Sequence, residues 1–334
     1  DQVQRISVGT TRALRRFYYI KNTCLEKNLE LENMFERRLK EPENTNQKLS
    51  FVGRKAEKML NLEVPAYKLA KGIKSRIKSG GPSLARVIRA SKDVSEALTK
   101  YIKKEDGRNF DALRSKALNF RKWFFSRFFL KRGANSTVLH NRKYLYFPLH
   151  YQPEAILLEN AGLWEDQRAA IVALSRCLPV GLIIAVKENP AMVGRRPRGY
   201  YNDFLKLPNV VMLSPFENSI ELIRQSAGVV TINGTAGLEA WLGGKPAMVI
   251  GQSYYSFLPG IVTLDGQDLK QIINGVEKLL FEGGQPRRVR RLFLECMYCT
   301  SFEGVLVDDI KNNPEVMSNS NIEVFAENLK IYQQ

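Results

Sequence analysis

From Tyr144 onward the chain repeats one pattern. Short apolar runs rich in β-branched residues, "YLYFPL", "VGLIIAV", "NVVML", "AGVVTI" and "PAMVI", are separated by stretches with helical spacing, "WEDQRAAIVALSRCL", "YYNDFLKL", "NSIELIRQS" and "AGLEAWLGG". Strand and helix alternating at such short intervals leave few solutions. Each strand must run parallel to the last, with the intervening helices covering the two faces of the sheet. The expectation is an α/β fold, a Rossmann-like half with a parallel sheet. "DLKQIINGVEKLLFEG", "VRRLFLECMYC" and "NIEVFAENLKIY" read as closing helices, and the stretch "DDIKNNPEVMSNSN" reads as a loop.

In open α/β sheets ligands bind beyond the carboxyl ends of the strands. Polar clusters stand at four such ends: "PLHYQPE", "KENPAMVGRRP", "SPFENS" and "NGTAGLE". The pattern predicts that they converge on one crevice. The last cluster has two readings. Glycines supply unusual backbone angles to a tight strand-to-helix turn. Small residues also let backbone N–H groups approach an anion at a helix N-terminus.

Residues 1–142 have a different texture. They hold 33 Lys and Arg against 14 Asp and Glu, leaving 18 against 20 in the remainder, so the net charge of +17 belongs to the first part. That asymmetry points to an anionic partner: a membrane surface, a nucleic acid or an acidic polymer. "CLEKNLELENMFERRLKE", "SLARVIRASKDVSEALTKYIKK" and "DALRSKALNFRKWFFSRFFLKR" read as helices, "EPENTNQKLS" as a loop, and no strand pattern stands out. In "FRKWFFSRFFLKR" the aromatics pack into a core, dock on a membrane surface beside basic residues, or stack on bases. No recognised nucleic-acid module accompanies them, and the partner expected is not a nucleic acid. No apolar run approaches the roughly 20 residues needed to span a bilayer. The start, "DQVQRISVGT", has neither an initiating Met nor a signal-peptide pattern and reads as a boundary within a longer chain. Four cysteines are too few for a disulfide framework at this length, and the lone C-x-x-C of "CMYC" is weak for zinc. A reducing cytoplasm fits best. The expected organisation is a basic helical region over 1–142, a nucleotide-sugar-binding Rossmann-like domain over 143–286, and C-terminal helices over 287–334.

"YFPLHYQPE", "VKENP" and "TINGTAGLEAWLGGKPAMVIG" together, in this order and spacing, resemble the bacterial capsule polysaccharide biosynthesis proteins. That family includes transferases that take Kdo (3-deoxy-octulosonic acid) from CMP-Kdo. The resemblance covers roughly residues 143–255. It implies a GT-B architecture and metal-independent glycosyl transfer, with a CMP-sugar as donor substrate rather than a bound cofactor, and it implies a lipid-linked or polysaccharide acceptor. The site of action it implies is cytoplasmic, peripheral on the inner face of the inner membrane. Two features depart from the family pattern: Asn189 stands where the family usually carries His, and residues 1–142 show no N-terminal Rossmann sheet. These departures keep open a non-catalytic member, a nucleotide- or polysaccharide-binding scaffold of a capsule assembly complex. A transferase using a UDP-sugar or CDP-polyol also stays open.

On this resemblance Asn233, Gly234, Thr235, Ala236 and Gly237 would present N–H groups and a hydroxyl to the nucleotide phosphate, and Glu239 would accept from ribose hydroxyls. Lys187 would act as a point charge on phosphate or sugar carboxylate. Asn189 and Pro190 would shape their loop against the nucleotide, and Ser219 would add a contact from the next helix start. His150 and Glu154 are the candidates for general acid/base work. Gln152, Arg195 and Arg196 would contact substrate, with Arg198 a further candidate to guide an anion. Each has a plainer reading as a solvated, turn or core residue.

Overall fold

A computed structural model describes residues 6–11, 16–21, 28–41, 60–61, 92, 95, 133–152, 162–197, 199–264, 268–304 and 317–333. The repeating half folds as its pattern requires. β3 (Lys143–Pro148), β4 (Leu182–Lys187) and β5 (Val210–Leu213) lie in the order β5-β4-β3, and both pairings are parallel. β6 (Gly228–Thr231), β7 (Ala247–Ile250) and β8 (Ile261–Leu264) follow in the order β6-β7-β8, again parallel throughout. The chain divides into two units, with the three parallel strands β3–β5 in one and β6–β8 in the other, each an α/β arrangement. Strand residues are almost all buried on both faces, which is why the runs read as continuous apolar stretches rather than alternating ones. β8 was not anticipated.

In the unit that holds β3–β5, α2 (Gln167–Cys177) packs on β4, with its Ile171 and Leu174 buried. Asp166 caps it, accepting from the Arg168 N–H at 3.0 Å. The Arg168 guanidinium, 2.7 Å away, holds the Asp166 carboxyl below the usual carboxylate range. A short α3 (Asn202–Leu205) lays the buried Phe204 beside β5. α4 (Ser219–Gln225) starts after Asn218, whose side chain accepts from the Ile220 N–H at 3.1 Å.

In the unit that holds β6–β8, α5 (Thr235–Leu242) returns from β6 to β7 with Trp241 fully inside. α6 (Leu269–Phe281), capped by Asp268, packs on β7 and β8. α7 (Arg287–Cys299) meets α1 (Leu29–Lys40), where Phe35, Phe257, Phe293 and Trp241 form an edge-on aromatic cluster with centroids 5.5–6.2 Å apart. α8 (Asn319–Gln333) closes the described chain, so the last residues of the expected loop open a helix instead.

The opening region holds more than helices. β1 (Ile6–Thr11) and β2 (Arg16–Lys21) pair antiparallel, with Ile6 opposite Lys21 and Thr11 opposite Arg16. This corrects the helical expectation there. "ISVGTT" and "RFYYIK" are rich in β-branched and aromatic residues, which favour a pleated strand, and the surrounding charge hid the signal. Of the helix expected over 83–104 only Lys92 and Ser95 are described, both helical. The loop expected after Glu41 and the helix expected over 111–132 lie outside the described residues. No helix among those described is long and apolar enough to cross a membrane.

Candidate functional site

The strand-end residues form two sets, one in each unit. In the unit of β3–β5 the centre is Glu188, directly after β4 and fully buried. Arg196, only 4% exposed, grips it with two hydrogen bonds: Nε donates to Oε2 at 2.9 Å and Nη2 to Oε1 at 3.0 Å. Tyr201 donates its hydroxyl to Oε2 at 2.7 Å, and the Asn189 N–H donates to Oε1 at 2.7 Å. The rest of the Arg196 fork reaches across to the loop after β3, where Nη1 donates to Gln152 Oε1 and Nη2 to the His150 carbonyl. Tyr200 lies under the same guanidinium, 4.7 Å from charge centre to ring centroid.

This is a satisfied buried network, and its electrostatics follow from burial. Burial pulls the Arg196 guanidinium down, but the Glu188 hydrogen bonds and charge outweigh it and the net shift is upward. Burial pushes the Tyr200 phenol up to about 12. It raises the Tyr201 phenol as well, with Glu188 adding to the effect. Both phenols therefore stay protonated and serve as donors.

The remaining residues of this unit take varied places. The His150 backbone is fixed from both sides, its N–H donating to Gln167 Oε1 at 2.6 Å and its carbonyl accepting from Arg196. Asn189 caps the 3-10 turn Pro190–Met192, its side chain accepting from the Ala191 N–H at 3.0 Å. Lys187 is 6% exposed and donates to Ser219 Oγ at 2.6 Å; Tyr146 donates to the same oxygen at 3.3 Å. The last residue of β4 and the first of α4 are thus joined. Arg195 points the other way from Arg196 and stacks on Tyr151, donating to its hydroxyl. Glu154 and Arg198 lie outside the described residues. Glu188 and Tyr201, which organise the cluster, were not among the expected site residues. The only sequence trace of their link is a Glu at a strand end eight residues before an Arg.

The second set surrounds the start of α5. Asn233 leaves β6 in the left-handed region at φ +57°, a conformation Asn tolerates better than most residues. Its side-chain nitrogen, with the amide turned to satisfy both neighbours, donates to the carbonyls of Ile250 at 3.1 Å and Gln252 at 3.0 Å. Gly234 stands at the N-cap, and no side chain caps the helix, so no side chain competes for the N–H groups of its first turn. Gly234, Thr235 and Ala236 are half-exposed, whereas Gly237 and Glu239 are buried.

Gly237 has a packing role. A Cβ there would lie 2.6 Å from the Tyr255 hydroxyl and 3.1 Å from Thr231 Cγ2. That hydroxyl is itself spent on the Gly234 carbonyl. Gly237→Ala is expected to force the Tyr255 ring away and to lower stability by about 1–3 kcal/mol, the usual cost of overpacking. Adding Tyr255→Phe should recover part of that loss in urea unfolding. A double variant no more stable than Gly237→Ala would rule out the contact.

Among the described residues no group of His, Cys, Asp and Glu is arranged to hold a metal ion. Cys296 of the C-x-x-C is buried on α7 and Cys299 is exposed.

The fold and these strand-end clusters define a Rossmann-like α/β protein. Residues 172–275, about a third of the chain, match the family model described as capsule polysaccharide biosynthesis protein. Over that segment the chain carries the domain of the capsule polysaccharide biosynthesis family. No curated protein sequence matches the chain. Among solved structures it is similar to the KpsC beta Kdo 2,7 transferase of Thermosulfurimonas dismutans (13% identity, TM-score 0.32, 65% of this chain and 60% of that one). It is also similar to the KpsC beta Kdo 2,4 transferase of the same organism (15%, 0.33, 71% and 62%). A third is the UDP-GlcNAc 2-epimerase of Methanocaldococcus jannaschii (13%, 0.35, 55% and 52%). The chain thus spans about three-fifths or less of these proteins. With TM-scores this low, the fold assignment rests on the strand order.

Proposed function

We propose that this chain is a glycosyltransferase of capsule or surface polysaccharide synthesis with a GT-B-like, metal-independent mode of action. Its donor is a CMP-activated acidic sugar of the CMP-Kdo kind, and its acceptor is lipid-linked or polysaccharide. The family match over residues 172–275 carries this reading, because it takes in both the segment from Lys187 to Arg196 and the uncapped start of α5. A helix N-terminus with half-exposed small residues suits the phosphate of a nucleotide. The basic first part, with its net positive charge, would hold the protein peripherally on an anionic inner-membrane face.

A second, non-catalytic reading draws on the Glu188 network. Arg196 and Gln152 are taken up internally there, and Asn189 is occupied as a cap. On that reading the chain binds nucleotide or polysaccharide as a scaffold.

Calorimetric titration with CMP, UMP and CDP tests the first reading. CMP should bind most tightly. Gly234→Val should weaken it at least tenfold, about 1.4 kcal/mol, because a β-branched side chain at the N-cap obstructs the first-turn N–H groups. A folded variant that binds CMP as well as the parent would end the assignment of this turn. Transfer from a CMP-sugar by the chain alone would remove the scaffold reading.

A further inference from the structure

The loop that follows β7, residues 251–256, is tied to the turn ahead of α5 at two points. Asn233 donates to the Gln252 carbonyl, and Tyr255 donates its hydroxyl to the Gly234 carbonyl. Within this loop two polar side-chain atoms, Gln252 Oε1 and Ser253 Oγ, are shut away from solvent with no hydrogen-bond partner. Ser253 as a whole is 5% exposed. Folded proteins rarely leave such atoms unmatched, and each one asks for an explanation.

Their chemistry narrows what would match them. A carboxamide oxygen only accepts. Ionised phosphate and carboxylate oxygens have no proton to give, so neither satisfies Gln252 Oε1. The complement is a donor, and a hydroxyl fits both positions because Ser253 Oγ can donate as well as accept. The loop "GQSYYS" carries no charged residue, which again suits a polyhydroxyl group rather than an anion.

We propose that Gln252 and Ser253 receive the sugar hydroxyls of a nucleotide-sugar whose phosphate lies at the N-terminus of α5. This rests on the nucleotide-binding reading above and adds the group that recognises the sugar. Ligand entry turns the two side chains from their closed positions toward the sugar, exchanging unmatched atoms for hydrogen bonds.

The test compares the parent with Gln252→Leu and Ser253→Ala by calorimetry, using CMP, UDP, CMP-N-acetylneuraminate and UDP-glucose as probes, with thermal unfolding of each free protein. Affinity for CMP should hold in both variants. The gain in affinity of the better-bound sugar nucleotide over its bare nucleotide should fall at least tenfold in Gln252→Leu. The free variant should melt no lower than the parent, because removing an unmatched buried acceptor relieves its desolvation penalty. A variant that melts lower and keeps the parent's preference would make these groups structural and overturn the proposal. A parent that binds CMP but gains nothing from the sugar on either probe would overturn this inference alone. A parent that binds no nucleotide would overturn the reading beneath it, and this one with it.

Discussion

Arg196→Met is expected to lower the free energy of unfolding by about 3–5 kcal/mol, the usual cost of stranding one partner of a buried ion pair. The size follows from what the substitution leaves behind. Glu188 sits fully inside, and Arg196 is its only cationic partner among the ion pairs of the described residues. Tyr201 and the Asn189 N–H continue to donate, but they bring no compensating charge. The Gln152 side chain and the His150 carbonyl lose donors in the same step. Removing both charges together, as Glu188→Gln with Arg196→Met, should recover much of the loss, since a neutral amide still accepts from Tyr201. Urea unfolding of the single and double variants measures the difference. A loss below 1 kcal/mol for Arg196→Met would mean that the pair is hydrated in solution.

The second large effect concerns membrane attachment. The chain should bind anionic vesicles, weaken strongly as salt rises, and bind neutral vesicles little. Each Lys or Arg near an anionic surface contributes about 1 kcal/mol within a Debye length. Replacing Arg121, Lys122, Arg127, Lys131 and Arg132 with Gln therefore removes about 5 kcal/mol, roughly four-thousandfold in partitioning. The aromatic residues Trp123, Phe124, Phe125, Phe128 and Phe129 interleave with these charges and would add apolar insertion. Vesicle co-sedimentation at low and high salt reads the effect. Equal binding to neutral and anionic vesicles, or no response to the five replacements, would assign the charge to another partner such as an acidic polysaccharide.

Five of the six parallel strands were legible because each is an apolar run set off by a helical stretch. β8 broke the rule. Between β7 and β8 the chain runs through "GQSYYSFLPG" instead of a helix, so the alternation stops and "IVTL" passes for part of a loop. The hairpin at the start was hidden by charge, and β8 by the missing helix ahead of it. At the candidate site, sequence reading found the residue types but not their pairings. Arg195 and Arg196 are adjacent and look alike, yet one stacks on Tyr151 at the surface and the other is buried on Glu188. Gly234 and Gly237 stand three apart in one turn, and the same Tyr255 hydroxyl meets the first at its backbone carbonyl and the second where a Cβ would lie. Such distinctions depend on which side of the backbone a residue faces, and that is set by neighbours distant in sequence.

α5 is held at both ends. Tyr255 fastens the Gly234 carbonyl at its start, and Arg290 of α7 donates to the Leu242 carbonyl at its end while also reaching Gln285 and Leu60. Trp241, beside Leu242 at that same end, adds a second anchor through the Pro259 carbonyl at 2.7 Å. A helix clamped in this way has its axis fixed before anything arrives. If the N-terminus of α5 takes the nucleotide phosphate as proposed, its peptide dipoles are aligned beforehand, and the anion would not be charged the entropy of ordering them. Recognition at this end would then be a property of the scaffold itself.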